Sequence, residues 1–385
     1  MSVLSADFGQ LRSSDPIAVE DVSSLAAIGS EWQELEQRQG APTPFQKWEW
    51  CSKWVEAAAA SGGAVDEVRL VVVRENGRIE LLWPLAVRTL WIFRIAFWLG
   101  EPLTQYGDVV ATSSDRNRAH LEAAWGHVSR WRDIDALELR RVRVGAHLTN
   151  LLVEKGAVCA AAGAAPFVDF TAVTPAGRPA WMRSSRTRNS LRRRLGELAA
   201  FGPVRFEIVD AIGEQREAAT EALKLKHDWL KEMGRASVGL SHRATEYFLQ
   251  SLAASGFLSV ARLKVADATA ALEIGFRGDQ TYYSFLQAYD SRFAAAAPGR
   301  LLFWHLIERC PDLGVTLFDF LAPVYPHKLE WATGESATRD FVLPITARGH
   351  VAVSYLARIK PNLKLIHAQL PAAMRRATAR LTGLQ

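Results

Sequence analysis

Only three cysteines occur in the 385 residues, Cys51, Cys159 and Cys310. An odd, widely spaced set offers neither a disulfide framework nor a metal-ligand spacing, and fits reduced thiols in a cytosolic protein. Long apolar runs are missing too. The greasiest stretch, Leu81 to Gly100, is broken by Pro84, Arg88 and Arg94, too often to span a bilayer. The opening MSVLSADFGQLRSSD has no basic patch ahead of an apolar core, so no secretory signal is expected. There is no Gly-x-Ser-x-Gly elbow, no Walker loop and no Gly-x-Gly-x-x-Gly fingerprint, and the histidines lack metal spacing. The expectation is a soluble, cytoplasmic chain without a metal.

Acidic residues are absent where they would matter most. Thr171 to Phe206 holds eight arginines and a single acid, Glu197; Phe341 to the C-terminus holds seven Lys/Arg and no acid. A net charge of +5 therefore hides two strongly positive patches on an otherwise acidic chain. Such patches point to phosphate, an acidic glycan or an anionic membrane surface. The segment Val351 to Leu381 is basic and partly apolar, interrupted by Pro361 and Pro371. It reads either as a plain basic tail or as a peripheral contact with an anionic inner leaflet.

What is present is one plan written twice. In the first copy Leu25, Trp32 and Leu35 share a helix face, and a second helix carries Phe45, Trp48 and Trp54. Two strands, VRLVVVR and RIELLWPLAV, meet at Glu75-Asn76-Gly77, a strong hairpin signal. A third strand through Trp98 leads to GEPLTQYGDVV, a helix over 116–131 and the strand DALELRRV. The second copy has helices over 222–233 and 243–254, the strands FLSVARLKV and TAALEIGFR, and a third strand over 280–289. A helix over 300–309 and the strand VTLFDFL complete it. Between the copies, SLRRRLGELAAFG reads as a helix ending at Gly202, with Leu191, Leu195 and Leu198 on one face and arginines around it. The expected organisation is an extension over 1–24, a module over 25–172, a basic linker helix over 173–203, a module over 204–346 and a basic tail over 347–385. The fold class is α/β (α+β): two tandem modules, each a mixed, mostly antiparallel sheet flanked by helices.

The stretch over 282–331 carries the most chemistry. A strand running into a helix start exposes free backbone N–H groups where a sheet can open, and anions bind there. Pro298 and Gly299 shape a tight entry to that helix, and Arg300 is suited to pair with a phosphate; an ordinary turn fits the same residues. Asp319 falls on one face of its strand with Leu317 and Leu321, where a carboxylate needs a partner or a cleft. Lys328 lies just past that strand, either a surface lysine beside Glu330 or a cation able to stabilise an oxyanion. Glu273 is a further carboxylate candidate. His305, beside Trp304, reads as a packed histidine, and the 13 tryptophans as core first. Tyr289 and Asp290 end a strand where the sheet would splay, as cleft lining or as a strand-end cap. Arg188, Arg192, Arg193 and Arg194 form either a solvated basic face or an anion site.

The ordered set PFQKWEWCSKW, QYGDV, RNSLRRRL, YDSRF…PGRLLFWHLIE and FDFLAPVYPHKLEW resembles tandem GNAT-fold acyltransferases. The group it looks like is the CelD-type, associated with bacterial cellulose and exopolysaccharide synthesis and related to the Fem-type peptidyl transferases, which use aminoacyl-tRNA. The resemblance covers about residues 25 to 345. It departs from the usual GNAT pyrophosphate loop, offering only Ala296-Ala297-Pro298-Gly299-Arg300, and from the family's closer Tyr/Lys spacing at Tyr325-Pro326-His327-Lys328. The resemblance implies transfer of an acyl group from acetyl-CoA or another acyl-CoA to a sugar amine or hydroxyl in a lipid-linked glycan, by direct attack in a ternary complex. Lys328, Asp319 and Asp108 would serve the chemistry, with Asp108 in the place where relatives carry a substrate-contacting carboxylate. Ala297, Pro298, Gly299 and Arg300 would hold the donor. Arg188, Arg192, Arg193, Tyr289 and Tyr325 would bind substrate. Two alternatives stay open: an aminoacyl-tRNA-dependent Fem-type transferase, and a non-catalytic nucleotide-sensing or scaffold protein.

Overall fold

The computed structural model describes residues 17–39, 43–62, 66–175, 177, 179–235 and 237–363. Most of the 1–24 extension and the tail beyond 363 lie outside them. The first half runs β1 (Ala18–Val22), α1 (Leu25–Gln39), α2 (Trp48–Ala60), β2 (Glu67–Glu75), β3 (Arg78–Leu90), β4 (Phe93–Trp98), β5 (Val110–Ala111), α3 (Asn117–Val128), β6 (Ala136–Arg143), α4 (His147–Glu154) and β7 (Val158–Asp169). The second half runs α5 (Ser185–Ala199), β8 (Val204–Val209), α6 (Ile212–Glu232), α7 (Thr245–Ala254), β9 (Leu258–Val265), β10 (Ala268–Arg277), β11 (Thr281–Tyr289), α8 (Pro298–Arg309), β12 (Leu317–Asp319), α9 (Pro326–Leu329), β13 (Gly334–Pro344) and α10 (Gly349–Ser354).

The described strands join in one sheet, in the order β1-β2-β3-β4-β6-β13-β7-β12-β11-β10-β9-β8, with β5 on β3. Read from either edge inward, the order is the same plan. Each half has an antiparallel meander followed by one parallel pair, β4 with β6 and β11 with β12. The repeat is closed by exchange. β7, from the first half, pairs with β12, while β13, from the second, pairs with β6, and the two run antiparallel along nine residue pairs at the centre. The module boundaries at 172 and 204 therefore fall between strands that interleave. One further reading changes. β1, inside the expected extension, is an edge strand on β2. The arginine-rich helix α5 turns the expected leucine face inward, with Leu191 and Leu198 fully buried in the core that α8 shares.

Local chemistry explains these elements. Asn76 and Gly77 take φ of 53° and 74°, the left-handed pair that a tight hairpin turn requires. In QYGDV the glycine is obligatory for space: a Cβ at Gly107 would sit 1.9 Å from the Trp98 indole, whose Nε1 donates to Arg140 O at 2.9 Å. The helix pairs α1/α2 and α6/α7 cover one face of the sheet and pack on each other through aromatic rings. Trp50 meets Phe45 at 4.9 Å and Phe248 at 4.8 Å, both edge to face. Of the 13 tryptophans read as core, eight are buried and Trp91 is exposed; Trp50, with Phe45 and Phe248, welds the halves together.

Candidate active site at the sheet opening

β11 and β12 pair through only three positions, Thr281–Leu317, Tyr282–Phe318 and Tyr283–Asp319. β11 continues to Tyr289, whereas the VTLFDFL strand stops at Asp319 because the chain swings away. Phe320 N–H donates to Pro166 O, and Leu321 takes a left-handed φ of 59°. A branched side chain is sterically disfavoured in that conformation, and such residues cluster at functional sites. From Ser284 onward β11 has no strand partner on this side among the described residues, and the sheet splays there.

Three groups from both halves meet at the opening. Asp319 is 2% exposed and accepts the Tyr106 hydroxyl at 2.8 and 3.0 Å and Leu321 N–H at 2.7 Å. Burial raises its carboxyl above the ordinary range, against the pull of those bonds and of Arg143 and Lys328. The Arg143 guanidinium lies over the Tyr106 ring at 4.9 Å. Lys328 donates to Leu321 O at 2.9 Å and Pro323 O at 3.0 Å, using two of its three N–H groups to latch the turn after β12. Burial pulls its ammonium down to about 8, although Asp319 and Glu273 favour the charged form.

Glu273 on β10 is fully buried. Its Oε1 accepts Ser284 Oγ at 2.6 Å, and its Oε2 has no partner among the described residues. Burial pushes its carboxyl up to about 8, partly offset by Ser284, Lys226 and Lys328. Burial thus favours the neutral form of both Glu273 and Lys328, which are close enough to influence each other's charge. That combination suits proton movement and charge stabilisation at a reacting carbonyl.

Other sequence candidates lie elsewhere or are engaged. Asp108 does not share the Tyr106–Asp319 contact. Its carboxylate accepts His147 N–H at 2.9 Å, Leu148 N–H at 3.2 Å and Val109 N–H at 2.9 Å, so it caps α4. Burial nonetheless lifts its pKa. The Asp108→Ala variant should lose about 2–4 kcal/mol in urea denaturation, since three buried amides lose a charged acceptor together.

The start of α8 is closed rather than bare. Ala297 is left-handed at φ 51°, Pro298 has no N–H, and both Arg300 and Leu301 donate to Ala297 O. Gly299 is buried against Gln287, whose Nε2 donates to Gly299 O at 3.0 Å. Arg300 pairs with Glu330 at 3.1 Å. Asp290 caps the turn over 291–296 through Arg292 N–H and pairs with the Arg292 guanidinium. Tyr289 lines a cavity of about 620 Å³ with Lys224, Trp229, Asp290 and Arg292. Tyr325 is 45% exposed, stacks on His327 and lies 5.3 Å from Lys328 Nζ. His305 stacks on Phe206 and Trp304, a packing role, and burial lowers its pKa.

The arginines of α5 divide. Arg188 donates to Arg183 O, and Arg194 to Ala295 O at 2.8 Å, which places the helix beside the turn leading into α8. Among the described residues Arg192 bonds Asn189 at 3.3 Å, and Arg193 holds Glu197 at a loose 3.9 Å; both side chains are exposed. Tyr106, inside QYGDV, carries no sequence signal of its role. Its contact is with a strand 213 positions away, and no local pattern announces that. Among the described residues no group of three His, Cys, Asp or Glu is placed to hold a metal, and no helix is long and apolar enough to cross a membrane.

No curated protein matches the sequence. Solved structures are similar in fold at low identity. FemX superposes with a TM-score of 0.59 at 11% identity, over 86% of this chain and 98% of that one. The C-terminal domain of a putative lysylphosphatidylglycerol synthetase from Agrobacterium fabrum gives 0.52 at 15%, over 87% and 96%. A conserved protein of unknown function from Bacteroides thetaiotaomicron gives 0.51 at 11%, over 85% and 100%. The architecture is a GNAT acyltransferase-like α/β fold, and residues 185–329, which span the arginine helix, the sheet opening and Lys328, match the family described as Acetyltransferase (GNAT) domain.

Proposed function

We propose that the chain transfers an acyl group from acyl-CoA to an amine or hydroxyl of a sugar by direct attack in a ternary complex. The observation that carries the reading is the opening between β11 and β12, with Lys328 and the Tyr106–Asp319 pair at its edge. The acceptor nitrogen or oxygen attacks the thioester carbonyl, the C–S bond breaks, and CoA leaves as thiolate or thiol. The spare N–H of Lys328 stabilises the oxyanion as it develops. Asp319, held by Tyr106, orients the acceptor and is the nearby carboxylate for its proton. Arg192 and Arg193 on α5 supply positive charge for a phosphate of the acceptor. The sugar acceptor extends the sequence's resemblance to exopolysaccharide-type transferases. Calorimetry with acetyl-CoA and longer acyl-CoAs, followed by CoA release with amino-sugar nucleotides, tests this. Absence of both binding and release removes acyl-CoA as the donor.

One specific observation favours a second reading. The α8 start has few free amides and Asp290 sits at the turn before it, an unwelcoming place for a pyrophosphate, while Arg186, Arg192 and Arg193 are exposed alongside. An aminoacyl-tRNA, whose backbone would lie along α5, fits that arrangement and the similarity to FemX. Its binding should weaken steeply with salt, and amino-acid transfer should require charged tRNA.

A further inference from the structure

A cavity of about 850 Å³ lies between the two halves, at the end of β11 away from the sheet opening. Its volume falls in the range of pockets that hold small ligands. One wall is α1, where Gln33, Glu36 and Gln37 recur at the spacing that keeps them on one face, beside the core residues Trp32 and Leu35. The other wall is the turn over 278–281, which joins β10 to β11. Thr43, Pro44 and Tyr283 line it too, and all three are buried.

The lining restricts what the cavity can hold. One cation, Lys47, stands against two acids, Glu36 and Asp279, which leaves −1, and among the described residues no arginine takes part. Phosphate and other anions are therefore disfavoured, in contrast to the exposed arginines of α5. Most of the other polar side chains are amides and hydroxyls, which both donate and accept hydrogen bonds. That alternation matches the hydroxyls of a sugar ring, while Tyr283 and Pro44 offer apolar surface to its C–H edges. Glu36 Oε1 accepts Trp48 N–H at 2.5 Å, and its other oxygen accepts no hydrogen bond among the described residues. A peptide would instead call for a free strand edge or apolar anchor pockets. Here β10 and β11 pair with each other up to the turn, and α1 presents polar groups.

The cavity is tied to the candidate active site by hydrogen bonds. Thr43 Oγ1 donates to Gln46 Oε1 at 2.6 Å, and Gln46 Nε2 donates to Tyr106 O at 2.6 Å. The Tyr106 hydroxyl in turn donates to Asp319. Tyr283 itself stands opposite Asp319 in the strand register.

We propose that this cavity binds a saccharide without acidic groups, held by the amides and hydroxyls of α1 and the 278–281 turn. The inference concerns binding alone and holds whichever donor serves the sheet opening.

The test is saturation-transfer difference NMR of the full chain with cellobiose, the glucosamine disaccharide and digalacturonate, each titrated to a Kd. The paired variant is the double substitution Gln33→Ala, Gln37→Ala, at two exposed helix positions where alanine favours the helix. Wild type should bind the first two sugars in preference to the third. The variant should bind them about tenfold more weakly, as expected for two lost hydrogen bonds. Absence of binding to cellobiose and the glucosamine disaccharide overturns the proposal, as does equal or tighter binding of digalacturonate. Equal binding by the variant would place the sugar elsewhere and overturn it too. So would an alanine tripeptide that binds wild type in place of the sugars and is weakened by the same substitutions.

Discussion

Replacing Lys328 by methionine is expected to lower kcat/KM for acyl transfer by about two to three orders of magnitude, the usual effect of removing one oxyanion donor. Methionine fills much of the lysine's volume, so the loss reports charge and N–H rather than a hole. The same change releases Leu321 O and Pro323 O from their shared donor, which should reduce stability by about 1–3 kcal/mol. A purely structural lysine would give the second effect without the first. Because burial has drawn its ammonium down to about 8, wild-type activity should decline above that pH as the proton is lost. An assay-independent check exists. After reductive ¹³C-methylation of the lysines, one resonance should titrate with a midpoint near 8 and be missing in Lys328→Met. A lysine set that titrates uniformly near 10.5 would contradict the burial argument.

The second large effect concerns Glu273. Its folded carboxyl keeps a proton up to about 8, whereas an exposed glutamic acid releases it near 4.5. A group raised in the folded state contributes stability that is complete below the lower value and disappears as pH climbs through the upper one. Glu273→Gln keeps the shape, retains a donor and acceptor for Ser284, and cannot ionise. Its stability relative to wild type should therefore be nearly level at pH 5 and improve with rising pH. By pH 8.5 the gain should be on the order of 2–5 kcal/mol, read from urea midpoints at constant slope. A gain that does not change with pH would place the carboxyl in an ordinary environment. Lys328 runs the other way. Its lowered value means its contribution is full above 10.5 and falls as pH drops through about 8. The two groups thus exchange their preferred states in one narrow pH range, and the double variant should show less pH dependence than either single one.

Much of the architecture was written in periodicity. The duplicated order of helices and strands, the Asn76-Gly77 turn and the aromatic helix pairs follow from local patterns, and the structure reproduces them. Exchange of β7 and β13 was not legible, because nothing in a strand's own alternation says which copy it will join. VTLFDFL reads as a full strand, yet Leu321 ends it in a left-handed conformation that sequence favours for glycine or asparagine. The candidate site was half legible. Asp319 stood out as a carboxylate between apolar neighbours and Lys328 as a cation just past that strand, and both lie at the opening. Asp108 looked equivalent, but its three amide partners include two in a helix almost forty residues away, a long-range demand invisible in QYGDV. Tyr106 was hidden for the same reason: its partner is 213 positions distant.

The traded central strands have a consequence for the molecule as a whole. Each repeat is completed by a piece belonging to its sibling, so no single cut of the polypeptide releases a closed half with both its edges satisfied. The opening at Asp319 inherits that dependence, since the strand beside it comes from the other repeat. Whatever holds one copy in register also sets the width of the other copy's mouth.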